Sequence, residues 1–582
     1  MLLSYFVSFL FLACGEEVDT GPQFKIDPVN LPIEIERVVI FPNQDISTDS
    51  YLQCLPTISG ADTSTMQITY QWKTQDGSIL GDQYSLQLSS DIVRTEDSVT
   101  CYISVVDATG DSGEGQSSVV VERAIWHMEN MDYAFLGERA GDALGKQIAS
   151  IGDSSGDGDD DFLLSAPKSD RNFIEAGAVY LFQNIEGETK NAHAIIEGTR
   201  IKDHLGQGSY AGDLDGDGLN DIMMSSPDND ENGVDSGAVY IFYASTLIDG
   251  GLFQAQDADR ILYGSDHNEH FGTKILGLDD LNDDGYGELI VGIPDSKTNG
   301  FSSGRIEIFS GRTILNDIDE ENAENEAIQP LFVIDGEGAQ SNLGTNFASF
   351  PDLDGDNRQE FWVVAGGGST KEAKMYLFLG VQLNQESLSL DDAFAVVRAD
   401  SMGDGAMTAI ATGDLDDDGY GDIVIGSPYD SEVAYHTGRV SVIMGDQIVN
   451  GGEILLSDAY ASILGEEVDD NMGSAVCILN DSDENGAREL FVSAPGSSQK
   501  AIQTGKAYVV PSDMYMAGGV SSLDAIKIGL YGEISYDRLG EQITTIKDID
   551  RDGFWDVLLS APSSNSNGSD AGKVYFVSLG AL

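Results

Sequence analysis

Basic residues are scarce in this sequence. Its 582 residues carry 30 Lys and Arg against 99 Asp and Glu, a formal charge of −69. A polyanion of that size repels nucleic acid and anionic lipid, which excludes both as partners. Histidine is also rare, at six scattered residues, and no motif suggests a Ser/His/Asp set. Of only four cysteines, Cys477 lies in the apolar stretch Ser474–Leu479, where a buried, inert thiol is expected and not a reactive one. Long apolar runs are absent after the first residues, so no later segment is expected to cross a membrane as a helix. Proline is sparse beside 67 glycines, a balance that suits many tight turns between short strands. The chain is too long for one ordinary domain, which leaves several domains or one large repeat.

The one apolar run, Leu2 to Ala13, is too short to span a bilayer and reads as an export signal. Its end, Phe11-Leu12-Ala13-Cys14-Gly15, resembles the bacterial lipoprotein cleavage site. That resemblance implies a lipid on Cys14 and a place at the outer membrane or cell surface. The alternative is an ordinary signal peptide cleaved nearby, and secretion. Residues 15–32, with Pro22, Pro28 and Pro32, read as a linker.

From residue 33 to 124 short alternating strands follow one another, such as Ile68-Thr69-Tyr70-Gln71-Trp72 and Val99 to Val105. The order Cys54, Trp72, Cys101 resembles an immunoglobulin-like sandwich, which implies a Cys54–Cys101 disulfide packed on a buried Trp72. Val99 stands where a tyrosine corner would place Tyr, and another small β-sandwich with the same disulfide is the alternative. Its expected role is that of a spacer.

The remainder, 132–582, is a repeat. Nine-residue acidic loops begin at Asp153, Asp213, Asp280, Asp352, Asp414, Asp481 and Asp548, 60 to 72 residues apart. Oxygen-bearing side chains recur at loop positions 1, 3, 5 and 9. They are Asp153, Ser155, Asp157 and Asp161; Asp213, Asp215, Asp217 and Asp221; Asp280, Asn282, Asp284 and Glu288; and Asp352, Asp354, Asp356 and Glu360. The last three sets are Asp414, Asp416, Asp418 and Asp422; Asp481, Asp483, Asn485 and Glu489; and Asp548, Asp550, Asp552 and Asp556. Calcium takes six to eight oxygens in flexible geometry, so this spacing predicts up to seven Ca²⁺ sites. Position 6 is Gly in six loops and Asn357 in the other, the residues that best accept a positive φ. An Asx-rich turn without metal is the competing reading.

Leu-Gly or Phe-Gly stands upstream of the loops, as at Leu205-Gly206 and Phe271-Gly272, and the fifth copy has only Met402-Gly403 in this place. Downstream come Ser165-Ala166-Pro167 and Gly177-Ala178-Val179-Tyr180 and their relatives. This resembles the FG-GAP repeats of integrin α-chain propellers. The implied fold is all-β, a seven-bladed β-propeller after an N-terminal immunoglobulin-like β-sandwich. The chain stops after Val574-Tyr575-Phe576-Val577, so Tyr133 to Gly137 is expected to supply the outer strand of blade seven.

The resemblance implies an exported adhesion or protein-binding module, with an unknown protein or glycan ligand on the face distal to the calcium loops. The loops expected on that face include 168–173, 264–270 and 429–436. Two other classes stay open: a structural surface protein that uses calcium only to stabilise its fold, and a hydrolase on a propeller scaffold. For the second, Gly152-Asp153-Ser154-Ser155-Gly156 matches Gly-x-Ser-x-Gly, but it falls in register with the calcium loops. His267 and His270 could hold a transition metal with Glu269 nearby, without a visible third ligand.

Overall fold

The computed structural model describes residues 33–579, except 42–45, 48–49, 60–65, 76, 90–92, 94–96, 107–109, 122–123, 129–132, 184, 186–188, 208, 317–327, 367–370, 484, 524–527 and 552. The export signal, Cys14, the 15–32 linker and Asp552 lie outside the described residues. The chain divides into two units, Met1–Val121 and Glu122–Leu582.

In the first unit, Glu34–Phe41, Tyr51–Ser59 and Ser85–Gln87 form one sheet. Gln67–Lys73, Ile79–Gly81, Ser98–Val106 and Ser112–Val120 form another. Period-two alternation buries Val99, Cys101, Ile103 and Val105 on one side of their strand. The Cys54–Cys101 disulfide bridges the two sheets. Trp72 is fully buried among these residues, and its indole N–H donates to the Gln83 carbonyl at 2.9 Å.

The second unit contains seven antiparallel four-strand sheets among the described residues, some with an added strand, and is a β-propeller. Blade one runs Ile148–Gly152, Asp161–Ala166, Ala178–Phe182, Ala194–Glu197. The first strands of successive blades adjoin in order, and that of blade seven, Ile543–Ile546, adjoins that of blade one. The second strands, such as Asp161–Ala166 and Asp556–Ala561, are buried at every residue and carry a short apolar run after their leading Asp. Both of their faces are covered, because each core cluster is shared by two neighbouring blades.

The two sequence motifs meet at these seams. Leu205 of blade two bridges Gly177 of blade one, and Phe271 of blade three bridges Gly237 of blade two. A Cβ on Gly177 would lie 2.4 Å from the Leu205 nitrogen, so the glycine is what lets the blades approach.

Strand Ala134–Leu136 pairs antiparallel with Lys573–Ser578 and completes blade seven, as expected. Phe135 is buried there against Phe162 and Phe182 of blade one, at centroid distances of 5.6 and 4.6 Å.

Two features differ from the sequence reading. Met402 ends the outer strand Ala395–Met402 of blade four, so Met402-Gly403 is not the fifth Leu-Gly element. Ala406-Met407 takes that place. The Met407 N–H donates to Gly426 O at 3.1 Å, as Gly206 N–H donates to Ser225 O, and Met407 carries the positive φ of 67°. Second, four blades gain a fifth, parallel strand lent by a neighbouring part of the chain. Gly251–Gln254, on the way to the outer strand of blade two, joins blade one, and Gly452–Leu455 and Gly519–Ser522 join blades four and five. Ala124–His127, just ahead of the outer strand of blade seven, joins blade six by the same rule.

Candidate metal centres

Each acidic loop connects the first and second strands of its blade. Position 1 caps the turn: its carboxylate accepts the N–H of position 6 in all seven loops, at 2.7–3.0 Å. At position 5, the side-chain oxygen accepts the N–H of position 7 in the six loops where position 5 is described. At position 9, buried at or just before the start of the second strand, the carboxylate accepts the N–H of position 2 in all seven loops.

Position 6 has positive φ throughout, 89–98° at the glycines and 67° at Asn357, as its residue types predict. Position 4 does as well, at Gly156, Gly216, Asp283, Gly355, Asp417 and Arg551. The sequence reading missed it, because Asp and Arg disguise the pattern that Gly156, Gly216 and Gly355 suggest.

In the loops at 213, 280, 352 and 414 the fold brings three carboxylates together, with one oxygen of each within 4.8 Å of the others. The sets are Asp213, Asp215 and Asp221; Asp280, Asp284 and Glu288; Asp352, Asp354 and Asp356; and Asp414, Asp416 and Asp422. In the first loop Ser155 donates its hydroxyl to Asp153, and Ser154 donates to Asp161 at 2.6 Å. Ser154 is therefore buried in loop architecture, in register with its six counterparts, and its hydroxyl is engaged with a carboxylate.

The electrostatics fit a divalent cation. Burial pushes the carboxyl of Glu288 up to about 8, those of Asp221, Glu360 and Asp422 to about 7, and that of Asp161 to about 6. Neighbouring loop carboxylates raise them further, and backbone donors only partly offset this. At the loop rim, Asp153 loses a little hydration, but the N–H groups of Gly156, Gly158, Ser155 and Asp157 hold it below the usual range. Asp161 Oδ1, Asp416 Oδ1 and Glu489 Oε1 are buried without a hydrogen-bond partner, at positions 9, 3 and 9. A buried carboxylate oxygen lacking a donor is what a hard cation satisfies.

The same carboxylates tie the loops to the rest of their end of the propeller. Ala244, Gly380 and Gly445, which follow the third strands, donate N–H to Asp221, Glu360 and Asp422 at 3.0, 2.6 and 2.6 Å. The loops between second and third strands lie at the other end. There Lys202 N–H donates to Ile174 O, Asn268 to Val234 O, Gln340 to Phe301 O and Asp469 to Tyr435 O. These acceptor residues expose large apolar side chains, Phe301 at 69% and Tyr435 at 62%.

His267 and His270 do not converge on a shared site. The His267 Nδ1 accepts the Val234 N–H at 3.0 Å, whereas His270 Nδ1 faces Asp295 at 2.9 Å.

A family model of the FG-GAP repeat matches residues 206–242 and 408–443, in blades two and five. The chain is 30% identical to integrin alpha-PS5 of Drosophila melanogaster over 151 residues, 26% of this chain and 14% of that one. It is 30% identical to integrin alpha-5 of Xenopus laevis over 194 residues, and 32% identical to integrin alpha-IIb of Homo sapiens over 168. Those matches cover 32% and 27% of this chain, and 17% and 15% of the relatives, so the chain spans a small part of the length of the proteins it matches. The chain thus carries FG-GAP repeats, with an integrin α-like propeller built on them.

Proposed function

We propose that this is an exported, calcium-binding propeller that acts as an adhesion or protein-binding module at the cell surface, and not as an enzyme. The observation that carries the reading is the recurrence of exposed large apolar side chains on the loops at the end of the propeller away from the acidic ones. One end gathers the carboxylate loops, and the other exposes large apolar side chains from repeated loops. Calcium would be held by the residues at loop positions 1, 3, 5 and 9, and would supply the positive charge that the buried carboxylates lack. Those residues would stiffen the hairpin between the first and second strands. The distal loops would then present Ile174, Val234, Phe301 and Tyr435 on a rigid frame, where aromatic and apolar anchors favour binding a protein or glycan. Extracellular calcium modules bind at about 10⁻⁴–10⁻³ M, so the loops would fill after export.

The first unit, with its Cys54–Cys101 bridge and buried Trp72, supports an immunoglobulin-like sandwich serving as a spacer. An oxidising compartment suits that bridge. A lipid on Cys14 would then hold the module at a membrane surface.

The test is binding of the mature chain to arrayed glycans and extracellular matrix proteins, in calcium and in chelator, with Phe301→Ser and Tyr435→Ser as variants. The reading expects calcium-dependent binding that either variant weakens. Absence of any binding by the calcium-loaded chain, or binding indifferent to both variants, would favour a structural role.

A further inference from the structure

On the end of the propeller away from the acidic loops, the seams between blades are built from backbone. A residue just before each Leu-Gly or Phe-Gly donates its N–H to a residue just before the Gly-x-Val-Tyr element of the preceding blade. The pairs include His204 to Glu175, His270 to Asp235, Asn342 to Ser302, Asn471 to His436 and Arg538 to Gln503, at 3.0–3.2 Å. Because main-chain atoms hold each seam, the fold leaves its side chains free to vary, and they do.

At the seam of blades two and three, these free side chains form a metal-ligand set. One atom each of His270, Asp228 and Asp235 lies within 4.8 Å of the others. The Nδ1 of His270 stands 2.9 Å from Asp295 Oδ2, and a carboxylate can only accept. The Nδ1 therefore carries the proton, and a neutral ring keeps its lone pair on Nε2. That Nε2 lies 3.8 Å from Asp228 Oδ1. This is too long for a hydrogen bond, but close to the roughly 3.4 Å between ligand atoms around a tetrahedral zinc-sized ion. The other oxygen of Asp228 is occupied by His204 Nδ1 at 2.6 Å and Gln207 Nε2 at 3.1 Å, which fixes the carboxylate plane. Asp295 is itself held by the Ser302 hydroxyl at 3.1 Å.

We propose that His270 Nε2, Asp228 and Asp235 bind a divalent transition ion of the zinc class, with Asp295 and His204 as positioning residues. One imidazole and two carboxylates suit such an ion and leave coordination positions open to solvent, whereas the calcium loops are all-oxygen. The carboxylate behind the ligating imidazole is the arrangement that orients histidine ligands and raises their basicity. The adjacent seam supplies an internal contrast. His204 and Glu175 occupy the equivalent places there, but Lys168 follows the proline where blade two has Asp228. An ammonium in place of a carboxylate disfavours a cation at that seam.

The experiment is titration of the full mature chain with zinc chloride in saturating calcium, with bound ions counted by native mass spectrometry. The expected result is one zinc ion beyond the calcium complement. His270→Gln and Asp228→Asn should each abolish it, with the thermal midpoint in calcium unchanged. Asp295→Asn should weaken it by about 10- to 100-fold, the usual effect of removing the partner of a ligating histidine. Asp235→Asn serves as a further ligand variant if one of the others fails to fold. Failure to bind zinc, zinc binding that survives both ligand variants, or calcium in that place would overturn the proposal.

Discussion

Gly218 and Gly177 are both left-handed glycines, for different reasons. A Cβ on Gly218 would meet nothing within 4 Å, whereas one on Gly177 would collide with the Leu205 backbone. Gly218→Ala should therefore cost only the left-handed conformation, about 1–2 kcal/mol in a urea unfolding experiment. Gly177→Ala should cost clearly more, because the blade seam must open. Asn357→Gly, which keeps the required φ of 67°, should leave the midpoint close to that of the parent. At this scale position 6 was legible in the sequence, since Gly and Asn announce positive φ. Position 4 was not, because Asp283, Asp417 and Arg551 take a positive φ there without the residue type that announces it. The convergence of His270 on Asp228 and Asp235 was likewise illegible. Asp228 and His270 lie in different blades, and only the closed seam brings them together.

Blade seven depends on an element far away in sequence. Ala134–Leu136 supplies its outer strand, and Phe135 fills a pocket between blades seven and one. Phe135→Ala should destabilise the propeller by about 3–5 kcal/mol, the usual loss for a buried aromatic, and proteolysis should then begin near both chain ends of the propeller. Normal stability in that variant would mean that the outer strand closes nothing. The sequence disclosed this strand because the last repeat lacked one and an unclaimed match stood at Tyr133–Gly137. It did not disclose the parallel fifth strands. Gly251–Gln254 and Gly452–Leu455 are short and contain no buried residue, and register with the preceding blade exists only after the blades pack. The fifth Leu-Gly element was misplaced for a related reason. Ala406-Met407 keeps the geometry of the motif while losing both of its letters.

Across the whole molecule, seven calcium ions would bring the formal charge from −69 to about −55, so they relieve local repulsion and leave a strongly acidic surface. The buried position 9 carboxyls give this a pH signature. At Asp161, Asp221, Glu288, Glu360 and Asp422 the folded values of about 6 to about 8 lie above those of ordinary carboxylates. The calcium-free folded chain then binds more protons than the unfolded chain between about pH 4 and pH 8, and its stability falls as pH rises through that window. In chelator the thermal midpoint should be higher near pH 5 than near pH 7.5. Calcium binds the ionised form, so its stabilising effect should be larger at the higher pH. The recurrence of seven acidic loops at similar spacing made the propeller legible from sequence, whereas the burial that drives this titration follows from blades covering both faces of every second strand. The most direct measurement is native mass spectrometry of the mature chain in calcium, paired with thermal unfolding in calcium and in chelator. The account predicts several bound ions, up to seven, one fewer in Asp213→Asn, and a midpoint that rises sharply with calcium near neutral pH. A chain that binds no calcium and unfolds at the same temperature in chelator would contradict it.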